Sequence, residues 1–395
     1  MAESIKDKVA IIGMGCTKFG ERWEASANDL IIDAAYEAFA DAGIEPKDIQ
    51  AAWVGTMWSG MTGMTISKPL KLQYIPITRV ENGCATGSEA VRNAAYAVAA
   101  GVYDIVLALG YEKLKDSGFS GLPISQVVGG LADFSSGVLP TTTAPGMFAV
   151  MATRYFARYG LSPEEGKRMI GMVSVKSHRN GALNPKAHFQ REITIEQAMK
   201  APIIAWPLGL FDCCGVSDGA AAAIITRADM AKNFRPDPVH IKALQICVGG
   251  ENRYRDDFDY THVEEIYRSG LAAYKEAGVT NPRQEISMAE VHDCFSITEA
   301  IFMEDLQFSP RGRVKEDIDA GFFELKGGLP VQPDGGLKCF GHPIGASGVR
   351  MLYEMYKQLQ GKAGPRQIKD PRLGLTSNLG GEPPGCAVST FIVGL

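Results

Sequence analysis

The sequence predicts an α/β fold in layers, with a duplicated core and an inserted segment. Short apolar runs alternate along the chain with longer helical patterns, which is typical of layered α/β proteins. Three stretches of the first half also recur, in the same order, in the second half. The 395 residues are 46% hydrophobic, so the chain has enough apolar material for two packed cores and is not disordered.

The first helix is the clearest local prediction. Ser26 is a good N-cap, Asp29 stands where a capping box needs an acid, and Gly43 follows the last helical residue, so a helix is predicted at 26–42. The strand before it is expected to end at Gly13. Strands are predicted at 9–12, 52–54, 105–109 and 289–291, and further helices at 87–100 and 147–159.

The internal repeat predicts the domain organisation. The pattern that ends at Gly43 recurs at Gly278, and the segments that begin at Cys84 and Gly219 recur at His342 and Gly385. Between the second and third matches the first half is much longer than the second, which indicates an insertion. We therefore predict an N-terminal half (1–115 and 208–230), an inserted loop domain (116–207) and a C-terminal half (231–395).

Composition excludes several classes of protein. The net charge of −5 argues against a general nucleic-acid binder, and no apolar stretch is long enough to span a bilayer. The N-terminus does not have the pattern of a secretory signal. Eight cysteines without CxxC spacing favour neither a disulfide scaffold nor a zinc ribbon. A cytoplasmic protein without a metal in this chain is expected.

Cys84 and His342 occupy equivalent positions in the repeat, each just before a predicted helix. A helix N-terminus stabilises a thiolate, so the pKa of Cys84 is expected to fall from about 8.5 to roughly 3.5–7.5. Cys84 is then a candidate nucleophile; the alternative is a small, buried apolar residue. His342, between glycine and proline, is either a catalytic base or a structural histidine.

His292 and Cys294 follow the predicted strand at 289–291. Functional side chains collect at the carboxyl ends of strands in α/β folds, so both residues are candidates for the same site. The alternative for Cys294 is a packed thiol without a catalytic role.

Five short motifs resemble those of the thiolases, in particular the sterol-carrier-protein-type branch. The resemblance extends over nearly the whole chain, and it implies an α/β/α/β/α core with an inserted loop domain. The motifs are NGCATG at 82–87, SDGAAA at 217–222, HDCF at 292–295, GHP at 341–343 and NLGG at 378–381.

The resemblance implies a role for each candidate. Cys84 attacks a 3-oxoacyl-CoA and becomes acylated, while His342 takes its proton. Most thiolases place a second cysteine, the acid, where this chain has Asn378, so the acid is expected to be Cys294, with Cys386 as the rival. His292 and His342 would donate to the enolate oxygen. Backbone N–H groups of Cys84 and Gly380 would donate to the thioester oxygen, and Asn378 is expected in the same oxyanion site.

The resemblance also implies coenzyme A as a substrate, a homodimer, and a separate small partner with an OB-fold and a zinc ribbon. Within the insertion, four basic residues without an acid among them would bind the phosphates: Lys176, Arg179, Lys186 and Arg191. Other functions left open are a decarboxylating condensing enzyme and a non-catalytic acyl-CoA- or lipid-binding subunit.

The acyl group is not fixed by the sequence. Acetoacetyl-CoA, a branched or sterol-derived acyl chain, and an aromatic substrate such as benzoylsuccinyl-CoA all remain open. Apolar side chains that could line an acyl pocket are Met57, Trp58, Met61, Met64, Phe119, Phe134, Met147, Phe148 and Met151.

Overall fold

The computed structural model describes residues 4–117, 143–249 and 258–395. Phe119 and Phe134, which were predicted to line an acyl pocket, lie outside the described residues. Within the described ranges, no helix has the length and apolar character needed to cross a bilayer.

Strands and helices alternate along the described chain. The strands are β1 Val9–Cys16, β2 Ala51–Gly55, β3 Ile77–Val80, β4 Ile105–Glu112, β5 Ile203–Ala205, β6 Leu208–Gly209, β7 Gly219–Arg227, β8 Val239–Val248, β9 Met288–Val291, β10 Leu373–Gly380 and β11 Ala387–Gly394. The helices are α1 Ala27–Ala42, α2 Met64–Leu70, α3 Thr86–Ala99, α4 Ala144–Arg158, α5 Pro163–Ala182, α6 Ile195–Met199, α7 Ala228–Ala231, α8 Glu264–Ala277, α9 Pro282–Glu285, α10 Ser296–Asp305, α11 Val314–Asp319, α12 Gly336–Cys339 and α13 Ile344–Leu359.

One mixed sheet carries the duplication in its strand order, β3-β2-β4-β7-β1-β8-β11-β10-β9. In the first half, β2 runs parallel to β4, and β7 is antiparallel to both β4 and β1. In the second half, β9 runs parallel to β10, and β11 is antiparallel to both β10 and β8. The two halves therefore share one topology and meet where β1 pairs with β8, which confirms the predicted duplicated α/β core.

The side chains of β7 show how the layers are built. Ala222 and Ile224 pack in one apolar cluster with α1, whereas Ala221 and Ala223, on the opposite face of the strand, pack in another with α3 and α13. Helix α8 packs in a third cluster with β9, β10 and β11. Helices α3 and α13 thus form a central layer, with α1 and α8 on the outer faces.

The ends of the outer helices follow the sequence prediction, but β1 does not. Ser26 caps α1 in a capping box with Asp29, and Gly43 ends the helix at φ 69°, as Gly278 ends α8 at φ 81°. The predicted end of the first strand at Gly13 is wrong, because β1 continues to Cys16. A Cβ at Gly13 would lie 2.4 Å from the carbonyl oxygen of Ala38, so this glycine serves close packing against α1.

Between β4 and β7 the described chain forms α4, α5, α6 and the short strands β5 and β6. In the second half, only residues 381–386 separate β10 from β11. Helices α4 and α5 pack against α10 of the second half. The domain boundaries at 115/116, 207/208 and 230/231 stay predictions.

His262 joins the start of α8 to the end of α10 and makes stability depend on pH. Its Nδ1 lies 2.8 Å from Asp305 Oδ1, and its Nε2 lies 2.7 Å from Glu264 Oε2. Burial and the nearby Arg311 would lower the pKa of His262. The carboxylates of Asp305 and Glu264 together have the larger effect, so the pKa is raised. The stabilisation is therefore complete below the unfolded pKa of about 6.5 and is lost as pH rises through the folded pKa.

We expect His262→Gln to destabilise the protein by roughly 0.5–1 kcal/mol at pH 6 and by less at pH 8, since Glu264 is half exposed. Urea unfolding of both proteins at the two pH values measures this difference. An equal loss at both pH values would contradict the assignment of the charged imidazole to this contact.

Candidate active site

A tight turn presents Cys84 at the start of α3. Gly83 adopts φ 56°, and the Thr86 hydroxyl donates to the Gly83 carbonyl oxygen at 2.5 Å. The turn lies against the end of β10, where a Cβ at Gly380 would stand 1.9 Å from the Asn82 carbonyl oxygen. Glycine at 380 therefore lets the turn seat on the second half of the molecule.

Three of the predicted site residues meet at this place. His292 directly follows β9, and His342 lies two residues before α13. One ring nitrogen of each and the Cys84 sulfur lie within 4.8 Å of one another. The two imidazoles are edge to face, with centroids 5.3 Å apart. The duplication thus brings a thiol from one half to two imidazoles of the other.

The hydrogen bonds of His342 fix its tautomer. The Ser347 hydroxyl donates to the Pro343 carbonyl oxygen at 3.0 Å, so it accepts from His342 Nδ1–H at 2.7 Å. The lone pair is then on Nε2, which is buried and has no hydrogen-bond partner among the described residues. Burial, together with His292 and Arg350, lowers the pKa of His342. His342 is therefore a neutral base.

Asn378 orients His292 in the same way. Its Nδ2 donates to the Cys84 carbonyl oxygen at 2.6 Å, which leaves Oδ1 to accept from His292 Nδ1–H at 2.7 Å. Burial lowers the pKa of His292 to about 4, and the hydrogen bond that His292 donates to Asn378 offsets only part of this fall. As a neutral ring His292 presents a lone pair at Nε2, so the predicted donation to an enolate oxygen requires a protonated ring.

The resting state of Cys84 differs from the sequence prediction. Burial, followed by the carboxylates of Glu112, Glu81 and Glu382, raises the pKa of Cys84 to about 12, and a hydrogen bond from the Gly381 backbone offsets only part of this rise. The expected low pKa at the helix start is therefore wrong. Cys84 is a thiol at neutral pH, so an attack by its sulfur would require a base to take the proton.

Cys294 lies beside this cluster, whereas Cys386 faces another part of the fold. Burial raises the pKa of Cys294, and interactions with Cys214, Cys84 and Asp293 raise it further. Burial also raises the pKa of Cys386, but the groups that act on it are Glu265 and Cys247. Cys294 therefore remains a protonated thiol that interacts electrostatically with Cys84.

Sequence reasoning missed two side chains that support the site. The Cys214 backbone N–H donates to the Cys294 carbonyl oxygen at 2.8 Å, and its thiol interacts electrostatically with Cys84 and with Cys294. Asp293 accepts from the Leu337 N–H at 2.6 Å, which ties the segment before His342 to the segment after β9. The position of Asp293 between His292 and Cys294 was the available signal.

The predicted basic surface does not form as expected. The Lys176 ammonium is buried and pairs with Glu299, and Lys186 pairs with Glu37. The two arginines of the run are exposed. Arg179 donates a hydrogen bond to Glu324 at 2.9 Å, and the backbone carbonyl oxygen of Arg191 is hydrogen-bonded to His178 Nδ1. Lys176 is thus removed from any phosphate contact at the surface, because its charge is compensated inside the protein.

A groove of about 770 Å³ opens beside this run. Arg191 and Lys200 supply positive charge along it, while Phe189 and Phe211 supply aromatic faces. The groove can therefore hold a ligand with both anionic and planar groups.

The predicted acyl-pocket residues have different environments. The Phe148 ring packs against the ring of Phe295, the residue that directly follows Cys294, with centroids 4.8 Å apart. The Met57 and Trp58 backbone N–H groups donate to the buried Glu112 carboxylate, which holds their loop. Exposed members of the set are Met61 and Met64.

Comparison with known proteins gives consistent matches over the whole chain. The thiolase N-terminal domain matches residues 9–229, and the thiolase C-terminal domain-like family matches residues 251–392. An acetyl-CoA acetyltransferase of Methanothermobacter thermautotrophicus is 38% identical, with 97% of this chain and 99% of the relative covered. The benzoylsuccinyl-CoA thiolase subunit BbsB of Thauera aromatica is 32% identical, with 97% and 96% covered. The solved Ltp2-ChsH2(DUF35) aldolase is 27% identical, with a TM-score of 0.83 and 99% and 98% covered.

Proposed function

The chain belongs to the thiolase family of acyltransferases, and on that premise we propose that it cleaves a 3-oxoacyl-CoA with coenzyme A, or catalyses the reverse condensation, through an acyl-Cys84 intermediate. The observation that carries this proposal is the cluster of Cys84, His292 and His342, whose ligand atoms lie within 4.8 Å of one another. A thiol beside an oriented neutral imidazole is the arrangement that nucleophilic catalysis needs.

In the first half-reaction the Cys84 sulfur attacks the ketone carbon of the substrate while His342 Nε2 takes the thiol proton. The carbon–carbon bond then breaks, its electron pair goes to the enolate of the expelled acyl-CoA, and the Cys294 thiol protonates the α-carbon of that enolate. Cys294 is left as a thiolate and recovers its proton from the His342 imidazolium. The expelled acyl-CoA leaves, as acetyl-CoA from acetoacetyl-CoA or as succinyl-CoA from benzoylsuccinyl-CoA, and Cys84 carries the acyl group of the ketone.

In the second half-reaction His342 takes the proton of the incoming coenzyme A thiol, and that sulfur attacks the thioester carbonyl. The oxyanion is proposed to accept from the backbone N–H groups of Cys84 and Gly380, each worth a few kcal/mol in the transition state. Cys84 leaves as a thiolate and takes the proton back from His342.

Coenzyme A is proposed to bind along the groove of about 770 Å³. Arg191 and Lys200 would meet its phosphates, and Phe189 or Phe211 would pack against the adenine. Of the basic residues predicted from the sequence, this assignment keeps Arg191. It uses Lys200 in place of Lys176, whose charge is paired with Glu299.

For the acyl group we propose an aromatic substrate of the benzoylsuccinyl-CoA type as the first to test. The support is the 32% identity to BbsB and the contact of Phe148 with Phe295 beside Cys294. Acetoacetyl-CoA is the alternative that the archaeal acetyl-CoA acetyltransferase favours.

A homodimer and a separate small subunit are proposed as the assembly. The β3 strand is an edge of the sheet, and Met61, Met64 and Tyr74 near it are strongly exposed. The partner in the Ltp2-ChsH2(DUF35) aldolase structure supports a small second subunit. All eight cysteines are free, which supports a reducing cytoplasm.

We expect turnover of at least one 3-oxoacyl-CoA and substrate-dependent protection of Cys84. The substrates tested are acetoacetyl-CoA and benzoylsuccinyl-CoA, each incubated with coenzyme A. Turnover is measured as loss of the 3-oxoacyl-CoA. Iodoacetamide labelling is mapped by peptide mass spectrometry, with the partly exposed Cys247 as the internal comparison.

A substrate that is turned over should protect Cys84 and leave the labelling of Cys247 unchanged. The proposal fails if no 3-oxoacyl-CoA is consumed and Cys84 does not react. A 3-hydroxyacyl-CoA arm tests for aldol cleavage, which would proceed without consuming coenzyme A and without protecting Cys84.

A further inference from the structure

The residue types of the catalytic cluster are those of a metal site. Protein zinc is held by Cys sulfur and His nitrogen, and open sites use three protein ligands with a fourth position free. Cys84, His292 and His342 supply one sulfur and two nitrogens, all within 4.8 Å of one another. Tetrahedral zinc needs ligand separations of about 3.3–3.6 Å, so ligand atoms that lie farther apart than this would move together as the ion binds.

The groups behind the two imidazoles match this chemistry. Metal-binding histidines donate their second N–H to an oxygen, which fixes the tautomer and the ring direction. Here Asn378 Oδ1 accepts from His292 Nδ1–H and Ser347 Oγ accepts from His342 Nδ1–H, each at 2.7 Å. Both Nε2 lone pairs are therefore available as ligands. His342 Nε2 is buried and has no other partner in the described part of the chain.

We propose that Cys84, His292 and His342 form a binding site for a soft divalent cation, with Zn²⁺ as the best fit, and that the bound ion reversibly blocks the nucleophile. On binding, a sulfur–metal bond forms and the Cys84 proton passes to the buffer. The imidazoles bind through existing lone pairs, and no electron is transferred. The blocking effect, but not the binding, rests on the proposed function.

Co²⁺ binding to the full chain tests the site without reference to activity. We expect one equivalent to give the intense visible bands of a tetrahedral ion together with a sulfur-to-cobalt charge-transfer band. Cys84→Ser should remove the charge-transfer band. Ser347→Ala should weaken Co²⁺ binding about 10- to 100-fold, because His342 loses its orienting partner.

Ser269→Ala is the matched control, since Ser269 is equally buried but lies on α8 and bonds to Thr390. It should bind Co²⁺ like the unaltered protein. Persistence of the charge-transfer band in Cys84→Ser, or equal weakening by both serine variants, would overturn the proposal.

With active protein, Zn²⁺ should inhibit thiolysis, protect Cys84 from iodoacetamide and be reversed by a chelator. Inhibition that persists after chelation overturns the reversible block. If Co²⁺ binds at Cys84 and no 3-oxoacyl-CoA is consumed, the metal site stands and the proposed function fails, so the two are tested separately.

Discussion

Replacing Cys84 with serine is expected to abolish both thiolysis of a 3-oxoacyl-CoA and the exchange of labelled coenzyme A into acetyl-CoA, each by about 10⁴- to 10⁶-fold. Burial already raises the pKa of the thiol to about 12, so the neutral His342 removes its proton only as the carbon–sulfur bond forms. A serine hydroxyl is a far weaker acid, and the same imidazole cannot activate it to the same extent. Steady-state rates of both reactions measure the loss.

The control is Cys247→Ser, the same change at a partly exposed cysteine at the end of β8. This variant should keep both activities, because the groups around Cys247 are Glu265 and Arg268 and not the imidazoles. If Cys84→Ser kept rates within about tenfold of the unaltered protein, the acyl-Cys84 mechanism would be wrong.

Local signals in the sequence were enough to predict much of the fold. The α1 boundaries depend on Ser26, Asp29 and Gly43, which act within one helix, so reading neighbouring residues finds them. The repeat adds long-range information, since matching Cys84 with His342 predicts equivalent positions before α3 and α13. The structure places both residues two positions before their helices.

What the sequence could not predict depends on contacts between distant residues. Lys176 pairs with the carboxylate of Glu299, 123 positions away in the chain. The local run of basic residues therefore predicted an exposed, phosphate-binding Lys176 where the structure has a buried ion pair. Gly13 ends no strand, because β1 continues to pair with β7 beyond it, with Gly13 opposite Ile224.

The electrostatics of the site was unpredictable for the same reason. Helix position alone indicated an acidic Cys84, whereas burial and three carboxylates raise its pKa. The amide of Asn378 bridges His292 and Cys84 across the two halves, a role that its place in the sequence does not reveal.

Cys294 and Cys386, both in the second half of the chain, are the two candidates for the acid that protonates the enolate carbon. We expect Cys294→Ala to lower thiolysis about 10²- to 10⁴-fold, because the enolate carbon then lacks its proton donor. Exchange of coenzyme A into acetyl-CoA should continue, since that reaction uses only Cys84 and His342. Deuterium exchange at the acetyl methyl group, measured in D₂O by mass spectrometry, should be lost together with thiolysis.

Cys386→Ala is the matched variant, since both thiols are buried and both have raised pKa values. The groups that interact with Cys294 include Cys84, whereas those that interact with Cys386 are Glu265 and Cys247. Cys386→Ala should therefore cost stability through the lost side-chain volume and keep deuterium exchange. The reverse result, with exchange lost in Cys386→Ala and kept in Cys294→Ala, would transfer the acid role to Cys386 and show that proximity to the nucleophile does not select the proton donor.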